Sequence, residues 1–306
     1  MVFARIVMLD FAEDDLEPED WSALRALTAE LDRCRSTDPE LRARLRAADC
    51  LLVQLGVAVT PELLDAAPRL RYLGVFGTST GRIDVTASRR GIAVRNVPGF
   101  STEAVAELAI GIALDHLRDL SGARARAARG DLSEPRNLGR ELRGLRVGIV
   151  GLGAIGRRVA EIAGRGFGAD VCYWSRTPQP DAGIPRVELD ALLEGSDVVS
   201  VHLALTPETR ALLDAAPIAR CRDGALLVHL APPEILDVPA LIGRLRERSL
   251  HFATDHGDEM DPRDVEVLRG LDACTLYPPI GYGTREARTL RRERFLAELV
   301  GFLRPS

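Results

Sequence analysis

The chain has 306 residues, 46% of them hydrophobic and 28% charged, which is enough for roughly two domains with real cores. A net charge of -5 gives no electrostatic reason to bind nucleic acid or an anionic membrane, and no apolar run approaches the ~20 residues needed to span a bilayer. The 40 Lys+Arg residues are all arginine, which excludes chemistry that needs a lysine, such as a PLP Schiff base, a class I aldolase or a Walker phosphate loop.

Arg5–Asp10 reads as a short strand without the basic start and long apolar core of a signal peptide, so a cytoplasmic location is expected. Pro18–Arg33 reads as a helix on the spacing of Leu24, Leu27 and Leu31. Asp49–Leu55 is a buried strand, and Thr60–Ala67 opens a helix with Thr60 as N-cap and Pro61 at its first position. Leu70–Phe76 and Ile92–Asn96 are further strands. Ser101–Leu120 is a long Ala/Ile/Leu helix with Glu103 and Glu107 near its start, and Arg124–Arg140 is a polar Arg/Gly-rich arm. Strand and helix signals then resume: Val147–Val150, helix Arg157–Ala163, Asp170–Trp174, Val198–His202, Ala225–His229 and Phe252–Asp255. Strands alternating with helices predict doubly wound parallel sheets. The cysteines, Cys34, Cys50, Cys172, Cys221 and Cys274, are odd in number and show no C-x-x-C, so they read as small core residues. No metal site is expected, since His251 and His256 are five apart across a strand end.

The most specific signal is Gly151-Leu152-Gly153-Ala154-Ile155-Gly156, a G-x-G-x-x-G between a strand and a helix. Gly151 permits the tight turn, Gly153 lets a pyrophosphate approach the backbone, and Gly156 lets helix and strand pack closely. Ala154 and Ile155 open the helix, whose free amides and positive dipole end suit phosphate. An acidic residue roughly 20 residues further on would bond the ribose hydroxyls of NAD. Here the second strand ends in Ser175-Arg176-Thr177, whose hydroxyls and guanidinium suit a 2′-phosphate. NADP is therefore the expected cofactor, with NAD possible.

Several segments resemble the D-isomer-specific 2-hydroxyacid dehydrogenase family. They are Leu70–Gly74, Gly77–Asp84, Gly91–Gly99, Val105–Glu107, Leu142–Leu145, the glycine loop, Ser196–Leu203 and Thr206–Arg210, in family order. The resemblance implies a Rossmann cofactor domain (96–285) inserted in a flavodoxin-like substrate domain (1–95 and 286–306), with Arg288–Leu303 as the returning helix. It also implies a homodimer and a small-molecule substrate. By the same resemblance, Leu203, Ala204, Thr209, Leu230 and Asp255 line the cofactor, Asp255 near the nicotinamide carboxamide. Thr78, Ser79 and Arg82 belong to the substrate loop.

The chain departs from the family where the chemistry is done. The family's carboxylate-gripping arginine lies in an N-x-x-R-G segment, which here reads His229-Leu230-Ala231-Pro232-Pro233. Its acid/base histidine lies in a T-P-H-I-G segment, here Tyr277-Pro278-Pro279-Ile280-Gly281. By the same resemblance, Glu259 or Asp261 would be the remnant of the partner glutamate. Ser79 stands in place of a carboxylate-cradling glycine, and Arg82 could supply an anion grip. Proline carries neither charge nor proton, so ordinary 2-keto acid reduction is expected to be disabled. His256, Tyr282 and His229 are the replacement acids singled out, with Tyr277 and Glu234 behind them. The expected function is an NAD(P)-dependent oxidoreductase acting on an imine, activated alkene or carbonyl other than a 2-keto acid. The alternative is a catalytically inactive NAD(P)-binding sensor or partner subunit.

Overall fold

The apolar runs pair into two parallel sheets, one in each of the units into which the chain divides, Met1–Phe100 with Arg285–Ser306, and Ser101–Thr284. This computed structural model describes residues 2–135 and 138–304.

In the first unit, β1 (Phe3–Leu9), β2 (Thr28–Cys34), β3 (Cys50–Gln54), β4 (Tyr72–Phe76) and β5 (Ala93–Arg95) lie in the order β2-β1-β3-β4-β5. This is the flavodoxin-like order. The central strands are apolar on both faces because both are covered. Val7, Leu9, Leu51, Val53, Leu73 and Val75 share one core. The helix Arg285–Leu303 packs on this unit too, with Phe295 meeting Phe76 edge-on at 4.9 Å. Both rings are fully buried, a contribution of about 1.5–3 kcal/mol each. Gly74 leaves room for that helix: a Cβ there would lie 2.9 Å from Leu52 and 3.3 Å from Phe295.

The helix expected over Pro18–Arg33 stops at Ala26, and Thr28–Cys34 forms β2 instead. The leucine spacing was misleading because β2 is an edge strand with few buried positions. Its pairing with β1 is reinforced by Asp32, which accepts from Arg5 at 2.6 Å and Arg44 at 3.0 Å.

In the second unit, β6 (Arg146–Val150), β7 (Asp170–Trp174), β8 (Val198–Val201), β9 (Ala225–His229), β10 (Leu250–Thr254) and β11 (Cys274–Leu276) lie in the order β11-β10-β9-β8-β6-β7. All pairings are parallel. The sheet is of the Rossmann type, with one strand rather than two beyond β6. Its switch point falls between β6 and β8, and the crevice beyond their carboxyl ends is where such sheets bind ligands. The helix Thr102–Arg118 lays Ala106, Ala109, Ile110 and Ala113 in the core that holds Ile149, Val228 and Ala253.

The arm expected over Arg124–Arg140 is partly helical: Leu120–Ala128 is a helix with no buried residue. Arg136 and Asn137 lie outside the described residues. The cysteines are free thiols, and no helix among the described residues is long and apolar enough to cross a membrane.

Candidate functional site

The glycine loop sits on the carboxyl end of β6, and its glycines differ in what surrounds them. Gly151 has φ +96°, and a Cβ on it would lie 2.7 Å from the His202 carbonyl oxygen and 2.9 Å from Leu203 Cδ2. A Cβ on Gly156 would collide with the Gly151 carbonyl oxygen and press on Ile149. Gly153 is the opposite case, since it is exposed and a Cβ there would meet no atom within 4 Å. Gly151 and Gly156 thus form a tight turn, while Gly153 opens onto free space. Gly153 is also the N-cap of the helix Ala154–Glu161, and no side chain caps that end. Its first amides, beginning at Ala154 and Ile155, can therefore donate to an anion. Buried turn, open glycine and uncapped helix together fit a dinucleotide pyrophosphate.

On one side of this loop, β7 ends in Trp174, followed by Ser175, Arg176 and Thr177. The Ser175 hydroxyl donates to the Thr177 carbonyl at 2.6 Å. Arg176 Nη1 lies 3.1 Å from Glu208 Oε2. On the other side, the segment after β8 carries half-buried Leu203, exposed Ala204 and buried Thr209. Thr209 Oγ1 donates to the Ala204 carbonyl at 2.7 Å and accepts from the Thr206 amide at 2.8 Å, which fixes the turn.

Histidines or carboxylates follow each of the next strands. His202 follows β8, and its Nε2 lies 2.7 Å from the Ser200 hydroxyl. His229 ends β9, and buried Leu230 follows it. Asp255 and His256 follow β10. Asp255 is 4% exposed and accepts from the Gly281 amide at 2.7 Å, tying the end of β10 to the loop that holds Pro279. Burial raises its carboxyl pKa against the opposing effects of His256 and the Gly281 hydrogen bond.

His256 lies between two carboxylates, with Nε2 3.7 Å from Asp255 Oδ1 and Nδ1 3.5 Å from Glu259 Oε1. Burial works against its charge, but the hydrogen bond to Glu259 and the charges of Asp255, Glu259 and Asp258 outweigh it, so its pKa is raised. A half-buried imidazole whose charged form is favoured in this way has the properties of a general acid.

The other two candidates do not share these properties. His229 is 0% exposed, and neither ring nitrogen has a hydrogen-bond partner among the described residues. Burial, reinforced by the charges of His256 and His202, lowers its pKa to about 3. Burial thus disfavours the charged form of His229 and weakens the case for it as the proton donor. Tyr282 is half-buried in a turn closed by the Gly283 amide donating to the Ile280 carbonyl at 2.9 Å. Burial, reinforced by the Asp115 carboxylate on the helix Thr102–Arg118, raises the pKa of Tyr277. Of the two acidic candidates, Glu259 faces His256, while Asp261 caps the helix Pro262–Arg269 and pairs with Arg263 at 2.7 Å.

Pro232 is half-buried and starts the short turn Pro233–Ile235, and Pro279 is exposed. In the first unit, Thr78, Ser79 and Arg82 are exposed in the loop after β4. The Thr78 carbonyl accepts from Asn96 at 2.6 Å, and the Ser79 hydroxyl accepts from the Gly81 amide at 3.2 Å. No group of three or more metal-ligating side chains occurs among the described residues.

Sequence reasoning overlooked His202 and the pairing of Glu208 with Arg176. A histidine just after β8, as another ends β9, was the available signal for the first. The second joins residues far apart in the chain and left no local trace.

The family model for the D-isomer specific 2-hydroxyacid dehydrogenase NAD binding domain matches residues 110–281. A glyoxylate reductase of Aeropyrum pernix is 36% identical over 276 residues, covering 86% of this chain and 82% of its own length. A hydroxypyruvate reductase of Thermotoga maritima is 32% identical over 254 residues, covering 81% of this chain and 83% of its own. Among solved structures, the D-lactate dehydrogenase of Aquifex aeolicus complexed with NAD and lactic acid superposes with a TM-score of 0.88 at 25% identity, over 97% of this chain and 95% of that one.

Proposed function

The chain belongs to the D-isomer specific 2-hydroxyacid dehydrogenase family, and we propose that within it this protein is an NAD(P)H-dependent reductase that has given up ordinary 2-keto acids. What supports this reading is the pair Pro232 and Pro279, which by the motif resemblance would stand where the family has its carboxylate-gripping arginine and its acid/base histidine. Without the arginine the bidentate contact to a substrate carboxylate is missing. Without the histidine the general acid is missing, which alone is worth roughly 10²–10⁴-fold in rate. The Aeropyrum and Thermotoga relatives are named for glyoxylate and hydroxypyruvate, so a changed substrate is the point at which this chain parts from them.

Gly151, Gly153, Ala154, Ile155 and Gly156 would hold the pyrophosphate of the dinucleotide. Leu203, Ala204, Thr209 and Leu230 would flank it, and Asp255 would face the carboxamide. Ser175, Arg176 and Thr177 would take a 2′-phosphate, so NADPH is preferred over NADH. Bound there, the reduced nicotinamide supplies a hydride. The proton falls to His256, whose charged form Asp255 and Glu259 favour, and Tyr282 is the second candidate for that role. Thr78, Ser79 and Arg82 would contact the substrate, and the protein would act as a homodimer.

The substrate class is an imine, an activated alkene or a carbonyl compound without the 2-carboxylate. An iminium carbon is already activated by its own proton, so it tolerates the loss of a strong acid best. The test is NADPH and NADH oxidation against a panel of 2-keto acids, imines and ketones. Turnover of an imine or a non-acid carbonyl, with 2-keto acids inert, supports the proposal. Silence across the panel with tight cofactor binding would favour the sensor or partner-subunit reading.

A further inference from the structure

The ion pair between Arg176 and Glu208 spans the carboxyl end of β6. Arg176 follows β7 and Glu208 follows β8, and these strands flank β6 on opposite sides. The pair therefore joins the two edges of the crevice that holds the glycine loop. Its side chains are 49% and 64% exposed, so it contributes little to stability. Glu208 is nevertheless presented by a built turn. Buried Thr209 fixes that turn through Ala204 and Thr206, and the Arg210 amide donates to the Thr206 carbonyl at 3.0 Å. A hydrogen bond from Thr206, its own amide and the Arg176 charge all hold the Glu208 carboxyl below the usual range, so it is ionised at neutral pH.

We propose that Glu208 is a specificity-determining residue that competes with the 2′-phosphate of NADPH for Arg176. The inference rests on the reading that Arg176 receives that phosphate. Binding is then an exchange: the guanidinium releases a carboxylate as it takes a phosphate, and the freed carboxylate stays beside the new dianion. NADH carries no 2′-phosphate and leaves the pair intact. Glu208 thus moderates a preference for NADPH that Arg176 creates, and lets both dinucleotides compete for one site.

The test is a titration of NADPH and of NADH into the full chain, followed by energy transfer from Trp174, which ends β7 beside Ser175. It is run on wild type, Glu208→Gln, Arg176→Ala and the double variant. Glu208→Gln is expected to tighten NADPH about tenfold, by freeing Arg176 and removing a negative charge beside the phosphate. NADH should change less than twofold. In the Arg176→Ala background the gain should fall below twofold, because the competitor has lost what it competes for. If Arg176→Ala loses NADPH selectively but Glu208→Gln does not tighten it, the role of Glu208 is overturned and the cofactor reading stands. If Arg176→Ala binds NADPH as tightly as wild type, the cofactor reading falls and takes this inference with it.

Discussion

Alanine at Gly151 and alanine at Gly153 should separate folding from cofactor binding within one loop. At Gly151 the backbone is left-handed, with φ +96°, and the new Cβ would lie 2.7 Å from the His202 carbonyl oxygen. The conformation costs roughly 1–2 kcal/mol for a residue with a Cβ. Relieving the contact costs about 1–3 kcal/mol more. Together that lowers Tm by about 4–20 °C at roughly 2–4 °C per kcal/mol. At Gly153 φ is -78° and no atom lies within 4 Å of the new Cβ, so stability should be unchanged. That Cβ occupies the space a pyrophosphate would enter. Losing two charge-assisted amide contacts at about 1.5 kcal/mol each gives about 3 kcal/mol, a weakening of roughly 150-fold. Thermal unfolding and calorimetric titration with NADPH and NADH read the two effects. A Gly153→Ala protein that binds as wild type does, or a Gly151→Ala protein as stable as wild type, would refute the reasoning.

The remaining predictions concern charge. His229 has a folded pKa of about 3 against roughly 6.5 unfolded, so its contribution is complete above pH 6.5 and is lost as pH falls toward 3. Between pH 6.5 and 5 that loss is about 2 kcal/mol; urea unfolding should show it, and His229→Leu should remove one proton's worth of acid dependence, a steeper or unchanged slope counting against the buried neutral ring. His256→Gln should lower kcat by roughly 10²-fold or more on whatever substrate the panel identifies. Glu259→Gln should cost less but move the alkaline fall in rate to lower pH, because Glu259 helps raise the His256 pKa; superimposable pH profiles would remove Glu259 from that role. Arg176→Ala should weaken NADPH about tenfold or more in titration and leave NADH within twofold, the worth of one charge-assisted contact.

What was legible in the sequence depended on burial. β3, β4, β6, β8 and β9 are covered on both faces, so their apolar runs stand out. β2 and β11 are edge strands, with half-exposed and polar residues and, for β11, only three positions. Edge strands need not repeat apolar side chains, and the competing leucine spacing over Leu24–Leu31 prevailed. The glycine loop was legible because its three glycines lie within six residues, although the atoms that crowd Gly151 belong to His202 and Leu203. His256 could be singled out as a titratable residue at a strand end, but its clamp depends on how the turn Gly257–Glu259 returns Glu259 toward the ring. His229 shows the reverse: the same residue type at the same kind of position, its ring sealed in the core. The local sequence hints at the difference, an apolar run around His229 against Asp255, Gly257, Asp258 and Glu259 beside His256, but the sealing of one ring and the clamping of the other depend on what packs around them.

In the proposed reading, Pro232 and Pro279 remove 2-keto acid chemistry from an otherwise familiar frame. The most direct test of that reading is the steady-state rate of NADPH and NADH oxidation with glyoxylate and hydroxypyruvate, for wild type beside the Pro232→Arg/Pro279→His variant. The account predicts rates at background for wild type and a gain of at least about 10²-fold on restoring both residues. Robust reduction of either acid by the wild-type protein would contradict it.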